Sequence, residues 1–142
     1  MNVDDKVLVT RVIEVLADRC GWAWRPAGPA YTEADDVGLY YGPIGTTPNR
    51  AVGVTLYAAD DGMAEGALSV RRVQLRFRGA PRDPSSPDEL ASRAFDALAG
   101  LSRVAGFAVV TPGPRGAPMG VDGNHRSARA DSYQIIIDLP ED

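Results

Sequence analysis

Apolar positions in the first twenty residues recur with the period of a helix. Across 3–20 (VDDKVLVTRVIEVLADRC) Val9, Val12, Ile13, Leu16 and Cys20 share one face. Val7, Leu8 and Val15 widen that face, which predicts a helix packed on two sides. Asn2 or Asp4 is placed to cap its start, and Gly21 its left-handed end. The period then changes to two. Residues 37–44 (VGLYYGPI) read as a short strand that stops at Pro43. In 51–57 (AVGVTLY), Val52, Val54 and Leu56 oppose Gly53, Thr55 and Tyr57. In 70–78 (VRRVQLRFR), Val73, Leu75 and Phe77 oppose Arg72, Gln74, Arg76 and Arg78. A second helix is predicted at 87–99, with Ser86 as N-cap, Pro87 first in the helix and Glu89 closing a capping box. Its buried stripe is Leu90, Ala94, Phe95, Leu98 and Leu101, and Gly100 stops it. Two more apolar runs, 104–111 (VAGFAVVT) and 132–139 (SYQIIIDL), read as strands; the second sets Tyr133, Ile135, Ile137 and Leu139 on one face.

The remaining stretches, 22–36, 42–49, 58–69, 80–87 and 112–126, read as turns and loops rich in Gly, Pro and Asp. The element order predicts an α+β fold. It has a mostly antiparallel sheet of four to five strands with two helices packed on one face. No composition shift divides residues 1–142, so one domain is expected.

Composition narrows the functional classes. Hydrophobic residues make up 44% and charged residues 24%, ordinary for a globular domain. With 15 glycines and 11 prolines the chain is rich in turns. No apolar run is long enough to cross a bilayer, and Asp4, Asp5, Glu14 and Asp18 are foreign to a signal peptide. Cys20 is the single cysteine and His125 the single histidine. An internal disulfide and multi-Cys or multi-His metal sites are thereby excluded, and a reducing compartment is expected. The net charge of −4 opposes wrapping of nucleic acid over the whole surface.

Candidate chemistry is sparse. His125 lies between Asn124 and Arg126 with no nucleophile signature near it, and Asp122 or Asp131 would have to orient it. Glycines 113, 116, 120 and 123 precede a strand and not a helix, so they read as turn residues and not as a phosphate loop. Asp60, Asp61 and Glu65 match no calcium loop and read as a solvated hairpin tip. Trp22 and Trp24 point the same way in an extended backbone, either covering one end of the core or anchoring a partner. The polar stripe of Arg72, Gln74, Arg76 and Arg78, with Arg71 at its edge, leaves three readings open. It is a solvated sheet face, a surface that meets carboxylates of a neighbouring subunit, or a surface that meets DNA phosphates.

Four features in sequence form a larger pattern: the amphipathic first helix; LYYGPIGTTPNRAVGVTLY (39–57); VRRVQLRFRG (70–79) followed by a helix; and PMGVDGNHR (118–126) leading to ADSYQIIIDL (130–139). Their order and spacing resemble the tail-terminator or minor capsid family of long-tailed bacteriophages, over about residues 3 to 139. The resemblance implies a virion protein at the head–tail junction, with no catalysis and no cofactor. It implies a homo-oligomer, a hexameric ring, that ends the tail tube, touches the tube protein and the head connector or stopper, and lets DNA pass through its lumen. The expected subunit or partner contacts are Arg72, Gln74, Arg76 and Arg78; Trp22 and Trp24; Asp60 and Asp61; and Met119, Asp122, Asn124 and Arg126. A head-completion or stopper protein is the sibling reading. A DNA-binding module working through Arg72, Arg76 and Arg78, and a small enzyme built on His125 with Asp122, are readings from other classes.

Overall fold

A computed structural model describes residues 4–62 and 68–137. The chain runs α1 (Asp5–Cys20), β1 (Gly38–Tyr41), β2 (Ala51–Asp60), β3 (Val70–Pro81), α2 (Ser86–Leu98), β4 (Ser102–Val104), β5 (Phe107–Pro112), β6 (Ala117–Val121) and β7 (Arg126–Ile137). The fold is α+β. Its sheet has seven strands in the order β1-β2-β3-β7-β5-β4, and β6 also pairs with β7. The expected four to five strands undercount it. Val3 of the predicted first helix, Glu65, and positions 138–139 of the predicted last strand lie outside the described residues.

Both helices pack on one face of the sheet. Leu8, Val9, Val12, Ile13 and Leu16 of α1 and Leu90, Ala91, Ala94 and Leu98 of α2 are buried. They share one apolar cluster with Val52, Val54, Val73, Leu75, Phe77, Tyr133 and Ile135 from the sheet. Removing each large apolar side chain from water is worth about 1.5–3 kcal/mol, so the alternating strands and the helical stripe are held against each other. Asp4 caps α1, its carboxylate accepting from the Val7 amide at 2.7 Å, and Gly21 ends it at φ +71°. Two apolar residues depart from expectation. Val7 is exposed. Phe95 is half-buried beneath the Arg115 guanidinium, 4.0 Å from the ring centre.

The start of α2 also differs. Ser85, not Ser86, stands at the N-cap, and no side-chain cap bond forms there. Ser86 is buried and its hydroxyl accepts from the Ala80 amide at 2.9 Å. It closes the β3–α2 link, and Glu89 reaches Arg50 at 3.2 Å. The hydroxyl and carboxylate that a capping box requires are therefore engaged elsewhere. Gly79 makes the close approach possible. A Cβ there would lie 2.4 Å from Pro87 Cδ, so the first turn of α2 sits directly on β3.

Three strand features escaped the periodicity. β1 runs parallel to β2, because the connection 42–50 crosses back over the sheet instead of turning as a hairpin. The run 104–111 is two strands: Ala105 and Gly106 both have positive φ, +56° and +83°. That is the requirement of a two-residue hairpin turn whose twist matches its strands, and it folds β4 onto β5. The stretch 112–126, expected to be all loop, contains β6. β5 and β6 lie end to end along β7, separated by the link 113–116. The Gly113 amide bonds Ser132 O, and the Gly116 amide donates to Asp131 Oδ1 at 2.8 Å. Asp131 is fully buried and is also held by Arg129 Nη2 at 2.9 Å. β7 accordingly begins at Arg126 and not at 132.

Candidate binding groove

The second face of the sheet carries no helix. Register places Gly53 opposite Arg76 and Thr55 opposite Gln74; on the other flank of β3, Arg78 pairs with Ala128, Gln74 with Ser132 and Arg72 with Gln134. This face therefore has a floor of small side chains from which long polar ones rise. One end is roofed by the connection 42–50, which acts as a strap. The Gly42 amide donates to Val54 O at 2.8 Å. Gly53 lies directly beneath: a Cβ there would stand 2.4 Å from Gly42 O and 2.9 Å from Ile44 Cγ1.

Two arginines hold the strap. Arg78 donates from Nε to Asn49 O at 2.9 Å, and from Nη2 to Pro48 O at 2.7 Å and Thr46 O at 3.2 Å. Arg126 donates from Nη1 to Thr46 O at 2.8 Å and to Asn49 Oδ1 at 3.3 Å. The Tyr40 hydroxyl donates to Thr47 O. Buried carbonyls of a loop need donors, and a guanidinium offers several in a fixed fork. Both arginines are buried, at 8% and 5% exposure. Arg78 is thus turned into the strap and is not part of a free stripe, and Arg126 is likewise internal. Burial, and then the neighbouring Arg126 charge, pulls Arg78 below the usual arginine range.

The β6–β7 turn forms the opposite wall. Asp122 Oδ1 accepts from the Asn124 and Arg126 amides, both at 2.9 Å, and Oδ2 accepts from Arg126 Nε at 2.8 Å. The Arg126 amide, together with its guanidinium, holds the Asp122 carboxyl below the usual carboxylate range. Both oxygens of Asp122 thus accept hydrogen bonds within the turn. His125 sits at φ +62° at the tip, and among the described residues its backbone is engaged with Asp122 and Arg82. Asn124 contributes its amide to the turn.

Between strap and turn lies a groove of about 560 Å³, with Thr55, Gln74, Arg76 and Ala128 on its floor and Ile44, Met119 and Val121 on its walls. Met119 and Val121 are exposed, at 40% and 66%. Arg76 is exposed and makes no ion pair or hydrogen bond among the described residues. Arg72 reaches Gln134 Oε1 at 3.3 Å. The arrangement brings together Gln74, Arg76, Arg78, Met119, Asp122 and Arg126 from the expected contacts, with Arg72 further along the same face. Sequence reasoning missed Ile44, Thr55 and Ala128; the one signal was a glycine, Gly53, among the valines of β2.

The other expected contacts lie elsewhere. Trp22 is buried at 4% exposure and Trp24 is half-buried against the core, so the pair covers one end of the core and Trp22 has no surface for a partner. Arg93 stacks over Trp22, 5.3 Å from the ring centre. Asp61 pairs with Arg71 at 2.6 Å, and Arg71 also holds Asp5 at 2.8 Å, clamping β3 to the start of α1. Arg71 thus points to the helix side. Asp60 accepts from the Gly62 amide at 3.0 Å.

Cys20 is remote from the groove, and burial raises its thiol pKa above the ordinary value, which keeps it protonated. Among the described residues no cluster of three or more His, Cys, Asp or Glu is placed to hold a metal ion, and no helix is long and apolar enough to cross a membrane. The geometry suits recognition of an anionic, partly apolar surface. Comparison with known proteins returned no matching family model and no matching curated protein.

Proposed function

We propose that this chain is a structural subunit of the phage head–tail junction, a tail terminator that assembles as a ring on the head-proximal end of the tail tube, halts tube growth and joins it to the connector. The observation that carries this reading is the sheet face left without helices. It is a shaped, cationic and partly apolar surface in a chain of net charge −4. Closed rings require one patch of a subunit to meet a different patch of the next, and such a face against the acid-rich remainder of the surface supplies unlike patches.

The stopper reading shares these supports and differs in place. The DNA-binding reading draws on fewer charges than the stripe implied. Arg71 is paired with two acids and Arg78 is held by the strap, so Arg72 and Arg76 are the exposed arginines of β3. Two phosphate contacts give weak affinity with only a shallow salt dependence.

The test is to mix the purified protein with bare tail tubes and image the ends by electron microscopy. A ring at one end of each tube, and tubes that no longer elongate, is the expected result. Bare ends at saturating protein, or tubes that keep elongating, would overturn the terminator assignment.

A further inference from the structure

Arg126 bonds both walls of the groove. Its Nε donates to Asp122 Oδ2 of the β6–β7 turn at 2.8 Å, and its amide donates to Asp122 Oδ1 at 2.9 Å. From the same guanidinium, Nη1 donates to Thr46 O of the strap at 2.8 Å. A guanidinium is a rigid plane, so the carboxylate that orients Nε also aims Nη1. The side chain is buried, and losing either partner there leaves a desolvated polar group.

The strap is fastened by side chains. The carbonyls of Thr46, Thr47, Pro48 and Asn49 accept from Arg78, Arg126 and Tyr40. Among the described residues no backbone amide donates to these four carbonyls. A strand in a ladder frays one residue at a time, whereas a segment fastened this way lifts when its side-chain donors let go together. On the other wall, the turn is fastened by Asp122 and by the Arg82 amide, which donates to His125 O at 2.8 Å. We infer that the strap and the β6–β7 turn open and close as one unit, short of global unfolding, with Arg126 as the joint that transmits the state of either wall to the other. Cooperative opening of part of a fold is a general property of proteins, and coupling between two sites acts equally in both directions. The groove then has one shape while closed and loses both walls when it opens. This coupling is a property of the single chain and is independent of the ring reading.

The test is native-state amide hydrogen exchange on the full-length chain, read in the strap, in the turn 122–126 and, as a control, in α1. Two variants push from opposite walls. Asp122→Asn weakens the hold on Arg126 from the turn, and Asp122 has no hydrogen bond to the strap among the described residues. Tyr40→Phe removes the donor to Thr47 O from the strap and alters no bond of the turn. Each is expected to speed exchange in both walls about tenfold, the scale of one hydrogen bond lost, while α1 keeps its wild-type rates. With Arg126→Met added, each change is expected to act on its own wall alone. Four results would overturn the inference. In the first, Asp122→Asn leaves the strap at its wild-type rate. In the second, Tyr40→Phe leaves the turn at its own. In the third, α1 accelerates as much as the walls, which would assign the effect to global unfolding. In the fourth, the cross-effects persist with Arg126→Met, which would move the joint to Arg78, whose charge Asp122 also feels. If Arg126→Met does not fold, the two single variants decide whether the walls are coupled.

Discussion

The two faces of the sheet are built from the same strands and obey opposite rules. On the helix side, Val73, Leu75, Phe77, Tyr133 and Ile135 are almost wholly removed from water and touch α1 or α2. On the other side, the alternate residues Arg72, Gln74, Arg76, Ser132 and Gln134 remain wet or half-buried. The first face determines whether the chain folds. The second, roofed at one end by a strap, is the face that the proposed function assigns to recognition. Changes on the first should therefore be read in stability, and changes on the second in association.

The sharpest break comes from the packed face. Phe77→Ala is expected to cost about 3–5 kcal/mol by leaving a cavity between β3 and α2, measured as a lowered urea midpoint. A comparable loss is expected for Arg129→Ala, which strips the fully buried Asp131 of its guanidinium; breaking a buried pair costs about 3–5 kcal/mol. If that variant melts with the wild type, the link 113–116 is held by its backbone bonds alone. Gly53→Val probes the boundary between the faces. The new side chain must displace Gly42 and Ile44, so a loss of about 1–3 kcal/mol should accompany faster amide exchange in the strap and weaker self-association. The smallest effect is optical. The Tyr133 hydroxyl is buried without a hydrogen-bond partner among the described residues, and burial raises its pKa to about 12. An acid whose folded pKa lies above its unfolded value of about 10 favours folding below pH 10, and that contribution is lost as pH rises from 10 towards 12. Tyrosinate absorbance should show a late step near pH 12, and Tyr133→Phe should remove it.

Much of the packed face was legible because burial imposes periodicity. The 3.6-residue stripe of α1 and the alternation of 51–57 and 70–78 are direct consequences of one-sided burial. What escaped was set by backbone and by distant partners. Strand direction leaves no mark on alternation, so the parallel pairing of β1 with β2 could not be read from it. Ala105 at positive φ carries no turn signature, so β4 and β5 merged into one run. Arg78 has the same place in the alternation as Arg76, and only the folded strap, whose carbonyls lie 29 to 32 positions earlier in the chain, distinguishes a structural guanidinium from an exposed one. Ser86 was assigned a cap because local sequence cannot reveal that Ala80 would claim its hydroxyl. The groove was half legible: its polar floor followed from the stripe, whereas its walls depend on the strap and the β6–β7 turn meeting across the sheet.

The strap also imposes an order on biosynthesis. Its Thr46 carbonyl is gripped by Arg126, 80 positions further along the chain, so a nascent polypeptide has made the roof long before it has made the latch. The roof of the groove is consequently latched only once residue 126 has emerged, and a product truncated before Arg126 carries the strap without that grip.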